Sequence, residues 1–193
     1  MFTQTKKTAS PRKLHSIHSL LTGRQFTGEI ESSKTKQSFS YAPTSAALVN
    51  RKIELTGVFT VHQSGRARKA ENVKATLLGT QGSLLAVYVP PEESYAQLLE
   101  DSPADGLPVT DATGSRSSVG VAYFKLSSMD NRKLGVAFDL SDVQLNGRLN
   151  PADDTARALQ FWLSVAVRAV YGESMNENLA SRALNEITGI LKV

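Results

Sequence analysis

The sequence predicts an α+β fold in which a largely antiparallel sheet of about six strands packs against a C-terminal αα-hairpin, behind a flexible basic N-terminal arm. Three observations carry this reading. Hydrophobic residues alternate almost completely between Lys52 and His62, with only Val58 breaking the polar face, two helical patterns follow Asn150, and composition changes near residue 37. The 193 residues suit a basic arm over 1–36 and one domain over 37–193.

Residues 1–36 hold seven cations against Glu29 and Glu31, a balance of +5, whereas the whole chain sums to +4. The remaining 157 residues therefore sum to −1, a nearly neutral domain in which no basic face is expected. The arm is rich in Thr, Ser, Gln and Lys, a composition that buries too little apolar surface to offset ordering entropy. Within it Ser10 to Thr22 reads as a short helix, with Ser10 as cap, Pro11 at the first position, and Leu14, Ile17 and Leu21 as an apolar stripe. His15 and His18 would then share a face, but two ligands do not complete a zinc site. The arm's Lys6, Lys7, Arg12 and Lys13 are the expected contact for an anionic partner, a weak polyanion contact at most.

Lys52 to His62 is the clearest strand. Ile53, Leu55, Gly57, Phe59 and Val61 point one way, and Lys52, Glu54, Thr56, Thr60 and His62 the other, as in a half-buried antiparallel strand. Gly57 on the apolar face marks a bulge or a close backbone approach. Asn72 to Thr80 and Leu84 to Val89 read as a hairpin around Gln81-Gly82-Ser83, stopped by Pro90-Pro91. Residues 90–118 separate the strand-rich segments; a short helix is expected over Pro91 to Glu100, followed by acidic turns without the spacing of an EF-hand. Strands resume at Val119 to Leu126 and Leu134 to Leu140, joined by Met129 to Arg132. A change of phase at Ser141-Asp142 then brings Val143, Leu145 and Leu149 onto the apolar side.

The helices come last. Asn150 as cap, Pro151 at the first position, Asp153 and Asp154 in the first turn and Gly172 as a left-handed cap define a helix to Tyr171. Arg157, Gln160, Ser164 and Arg168 draw one polar stripe along it, and the rest of its surface is apolar. Ser174 and Glu177 form a capping box for a second helix carrying Leu179, Ala183, Leu184, Ile187 and Leu191.

With no Cys and three His, the sequence excludes disulfide scaffolds, thiolate metal sites and cysteine nucleophiles, and no cofactor is implied. Phosphate-loop, nucleophile-elbow and dinucleotide motifs are missing. The leading expectation is an interaction or assembly domain that self-associates or binds a protein partner. Its contact would be a sheet edge or the apolar helix face formed by Leu159, Trp162, Val165, Ala166 and Val170. The second is a carrier with an apolar pocket between sheet and C-terminal helix. The third is a hydrolase-like enzyme using His62 with Asp130 or Asp139. Tyr123, Phe124 and Lys125 are a lone aromatic and cationic cluster, too small for a nucleic-acid module. No apolar run is long enough to span a bilayer, so a cytoplasmic protein is expected, or an organellar one if the acid-free N-terminal segment is a targeting sequence.

Overall fold

A computed structural model describes residues 16–32, 35–81, 120–136, 140, 143–150 and 152–192. The strands are β1 (Ser16–Thr22), β2 (Gln25–Ser32), β3 (Thr35–Val49), β4 (Lys52–Gln63), β5 (Arg66–Gln81), β6 (Gly120–Leu126) and β7 (Gln144–Leu149). The helices are α1 (Asn131–Leu134), α2 (Asp154–Tyr171) and α3 (Glu177–Lys192). Consecutive strands pair antiparallel from β1 to β7. β7 then pairs parallel with β1, with Ile17 opposite Leu145 and His18 opposite Asn146, and the sheet closes into a barrel. The open six-stranded sheet is thus corrected to a closed one whose described strands number seven.

Alternation explains the strands. On β4 Ile53, Leu55, Phe59 and Val61 are buried as expected, and β6 and β7 bury Ala122, Phe124, Leu145 and Leu149 in the same rhythm. Interior aromatic rings need small residues opposite them. A methyl group at Gly147 would lie 2.6 Å from the Phe26 ring, which packs at 5.6 Å on Phe124. At Gly57 both anticipated features occur: the β4–β5 register shifts there, and a methyl group would lie 2.2 Å from the Ala42 carbonyl oxygen.

Several expectations are revised. The helix placed over Ser10 to Thr22 is strand β1 from Ser16 onward, because Ile17, Ser19 and Leu21 alternate inward against β2 and β7. Ile17 and Leu21 stand four apart, a spacing both periods allow, and long-range pairing selects the strand. The stretch expected to be a flexible arm over 1–36 accordingly supplies β1 and β2, and β3 begins at Thr35.

Of the strand expected over Leu134 to Leu140, Leu134 instead ends α1, Gly135, Val136 and Leu140 are in no strand, and residues 137–139 lie outside the described ones. Asp130 caps α1 by accepting from the Arg132 and Lys133 amides at 3.0 and 3.2 Å, and Gly135 closes it at φ 71°. Asp153 rather than Asn150 caps α2, and Asn176 rather than Ser174 caps α3. Gly172 is extended at φ −68° rather than left-handed, and its lack of a side chain leaves room for the Arg168 carbonyl. The second hairpin arm at 84–89 and the expected helix at 91–100 lie outside the described residues.

The tips of the β3–β4 and β4–β5 hairpins are two-residue loops, Asn50-Arg51 and Ser64-Gly65, each with positive φ at both positions. That is the backbone twist tight hairpins prefer. β2 accompanies β3 only as far as Tyr41, so beyond it the β3 edge needs another partner. α3 supplies it: the Thr188 hydroxyl accepts from the Ala46 amide at 2.9 Å and donates to the Ala46 carbonyl at 3.4 Å. α2 packs on α3 and on β4, β5 and β7, and its side chains join those of the strands in a single core cluster.

Candidate functional site

The helix face expected to contact a partner is covered by the chain itself. Leu159, Trp162, Val165, Ala166 and Val170 are all buried, and in the closed barrel every described strand pairs with a neighbour on both sides over at least part of its length. Phe161 and Trp162 pack edge to face at 5.1 Å, and both belong to the core cluster that α2 shares with the strands. Packing on the barrel strands and on α3 thus accommodates so apolar a helix within one chain. Even Gln160, on the expected polar stripe, is buried.

The expected catalytic residues have other surroundings. His62 is exposed near the end of β4, opposite Ser38 on β3, and lines a shallow polar groove with Glu29 and Lys36. Those two neighbours pair with each other at 2.6 Å. The Asp130 carboxylate is engaged in capping α1, and Asp139 lies outside the described residues. Lys6, Lys7, Arg12, Lys13 and the acidic loop at 90–118 lie outside them too. Among the described residues no group of three or more His, Asp or Glu side chains is placed to hold a metal ion, and no helix is long and apolar enough to cross a membrane.

Cations instead concentrate on the outer wall. The described residues carry sixteen Lys and Arg against ten Asp and Glu, a net of +6, so the neutrality expected of the domain does not extend to its barrel and helices. Six of the ten acids stand at or on helices, where Asp130 and Asp153 serve as caps. The strands keep Glu29, Glu31, Glu54 and Glu71.

A groove of about 510 Å³ opens on the outside of β4, β5 and β6. Lys52 and Glu54 come from β4, Lys74 from β5 and Lys125 from β6. Register puts these side chains on one face: Glu54 stands opposite Thr76, and Thr76 opposite Lys125. Lys74 Nζ lies 3.2 Å from Glu54 Oε2. Ser127 is fixed beside them, its amide donating to the Lys74 carbonyl at 2.7 Å and its hydroxyl accepting the Lys74 amide at 3.1 Å.

Two irregularities shape this wall. Between Ala70 and Val73 β5 carries an extra residue, with Asn72 at φ 56°, so Lys69 and Lys74 face outward together although their numbers differ in parity. A second shift between Leu77 and Gly79 pushes Leu78 out to 49% exposure. Tyr171, the last residue of α2, closes the groove beside it. Its hydroxyl accepts the Ile53 amide at 3.1 Å and donates to the Leu77 carbonyl at 3.0 Å. The β4–β5 ladder ends at Glu54 opposite Thr76, and this hydroxyl bridges the next position, where the strands part. The rest of the ring is left facing the groove, the residue being 41% exposed.

Of the sequence cluster Tyr123, Phe124 and Lys125, the first and third face outward and Phe124 is core. Tyr171 escapes sequence reasoning as a site residue because its signal, an aromatic at a helix C-terminus, reads as core. No protein-family model matches the chain, and no curated protein or solved structure matches it significantly.

Proposed function

We propose that this chain is an interaction protein whose partner is anionic and seats in the groove between Lys52, Lys74 and Lys125. One observation carries the reading: three strands bring three ammonium groups to a single concave site where, among the described residues, one acid, Glu54, stands. A cleft with a net excess of one sign of charge concentrates counter-charged ligands and speeds their arrival. Glu54 engages Lys74, and on binding this ammonium group exchanges its carboxylate for the ligand's anion.

The test is calorimetric titration of the full chain with inorganic polyphosphate over a range of salt. Affinity should fall with rising salt, and Lys74→Gln with Lys125→Gln should weaken it by about tenfold, the equivalent of two modest charge contacts. Trp162 fluorescence checks that the variant is folded. Equal affinity for the folded variant and the parent protein would overturn the assignment.

A further inference from the structure

We infer that the anionic partner is a single-stranded nucleic acid, with one unpaired base stacking on Tyr171; this deepens the reading just given and rests on it. The chemistry of the groove is double. A cationic rim of Lys52, Lys74 and Lys125 surrounds an apolar wall made by the Tyr171 ring and the bulged Leu78. A plain polyanion would use the rim and leave the wall wet. A ligand using both must join a flat apolar face to a nearby negative charge, as a nucleotide does.

Tyr171 is suited to this because it is already immobilised. Its hydroxyl is held by the Ile53 amide and the Leu77 carbonyl, so stacking costs little further side-chain entropy. Stacking on the Tyr171 ring needs the flat face of a base, which a base paired and stacked within a duplex cannot present. An unpaired base can.

The ligand is a strand rather than a free nucleotide because the cationic wall continues past the groove. Lys69 shares the outward face of β5 with Lys74. Arg148 stands outward on β7, in a row with Val121 of β6 and Leu20 of β1. Lys69 stands opposite Thr60 and Lys74 opposite Thr56, four residues apart on β4, or roughly 13 Å at the usual strand rise, enough for about two nucleotide steps of backbone.

The experiment is fluorescence anisotropy of the full chain with a labelled twelve-nucleotide oligothymidylate. Its duplex, inorganic polyphosphate and thymidine monophosphate serve as competitors. The single strand should outcompete duplex and polyphosphate at equal charge, and replacing Lys69 and Arg148 by Gln should lower the magnitude of the salt slope by about 1.4, at 0.7 per phosphate contact. Tyr171→Leu and Tyr171→Phe both lose the hydroxyl, so their difference isolates the ring. The Phe variant should bind at least fivefold more tightly than the Leu variant, within the range of about five- to 150-fold for one stacked base.

If polyphosphate and the single strand bind alike and the two Tyr171 variants agree, the nucleic-acid inference fails while the anionic reading stands. If thymidine monophosphate competes as well as the strand, the polymer part is overturned. If neither polyphosphate nor oligonucleotide binds, the anionic reading itself is lost.

Discussion

Replacing Tyr171 by Phe removes one oxygen atom and tests how the last turn of α2 is joined to the barrel. The hydroxyl makes two hydrogen bonds, accepting from Ile53 at 3.1 Å and donating to Leu77 at 3.0 Å. Both partners are backbone groups of fully or almost fully buried residues, at 0% and 1% exposure. About 1 kcal/mol for the bond to the Leu77 carbonyl, plus the about 1–3 kcal/mol desolvation cost of an Ile53 amide left without a partner, gives about 2–4 kcal/mol. For a chain of this length that corresponds to a fall in Tm of about 4–16 °C. Urea unfolding followed by fluorescence is a clean assay, since Trp162 is the only tryptophan and is buried in the core. The urea midpoint should fall with the slope of the transition unchanged. Tyr41 provides the internal contrast: its hydroxyl approaches two carbonyls, Leu55 at 3.3 Å and Val73 at 3.1 Å, and has one proton to share between them. Tyr41→Phe should therefore cost less, about 1 kcal/mol. A loss below about 0.5 kcal/mol in Tyr171→Phe would refute the bridging role.

Three further outcomes are expected. Burial pushes the Tyr41 phenol well above its ordinary value of 10.0, so the folded state holds this proton more tightly than the unfolded state. Its stabilising effect is complete below pH 10.0 and declines above it, and pH-dependent urea midpoints should show a smaller alkaline decline in Tyr41→Phe than in the parent. Gly57→Ala sets a methyl group against the Ala42 and Pro43 backbone, whereas Gly147→Ala meets the Phe26 ring, which can shift; the first should cost about 3 kcal/mol or more and the second about 1–3 kcal/mol in the same unfolding assay. Thr188→Val keeps the shape of the side chain but leaves the Ala46 amide and carbonyl without their helix partner, for a loss of about 1–2 kcal/mol and faster hydrogen exchange at Ala46.

What could be read from the sequence was whatever a single period decides. The β4 alternation from Ile53 to Val61, the inward rhythm of β6 and the two C-terminal helices needed only local pattern. Closure of the barrel did not announce itself, because it depends on Ser16 to Leu20 pairing with Gln144 to Arg148, segments far apart in the chain. The groove was hidden for two reasons. An extra residue near Asn72 puts Lys69 and Lys74 on one face where strict alternation would have separated them, and the summed charge of 37–193 merged a basic barrel wall with the acids of 90–118. The α1 turn was legible in principle from Asp130 and Gly135, five residues apart, but Leu134, Val136, Phe138 and Leu140 gave a strand rhythm that concealed it.

Glu54 offers the most discriminating view of the groove, since two roles for it predict opposite signs. Its side chain is 15% exposed and meets Lys74 at 3.2 Å, while Lys74 itself is 57% exposed. If the carboxylate mainly opposes an incoming anion, Glu54→Gln raises the local charge by one and tightens polyphosphate or oligonucleotide binding. At this degree of exposure an added unit of charge amounts to about 0.5–1 kcal/mol, or about two- to fivefold at low salt, shrinking as ionic strength rises. If it mainly aims Lys74, the substitution weakens binding and the loss persists at high salt. The geometry favours the first sign, because the Lys74 side chain is 57% exposed and its ammonium group is free to turn from Glu54 to an incoming anion. Tighter binding in Glu54→Gln, lost again when Lys125→Gln is added, would place the anion among these side chains; unchanged binding in both variants would place it elsewhere on the wall.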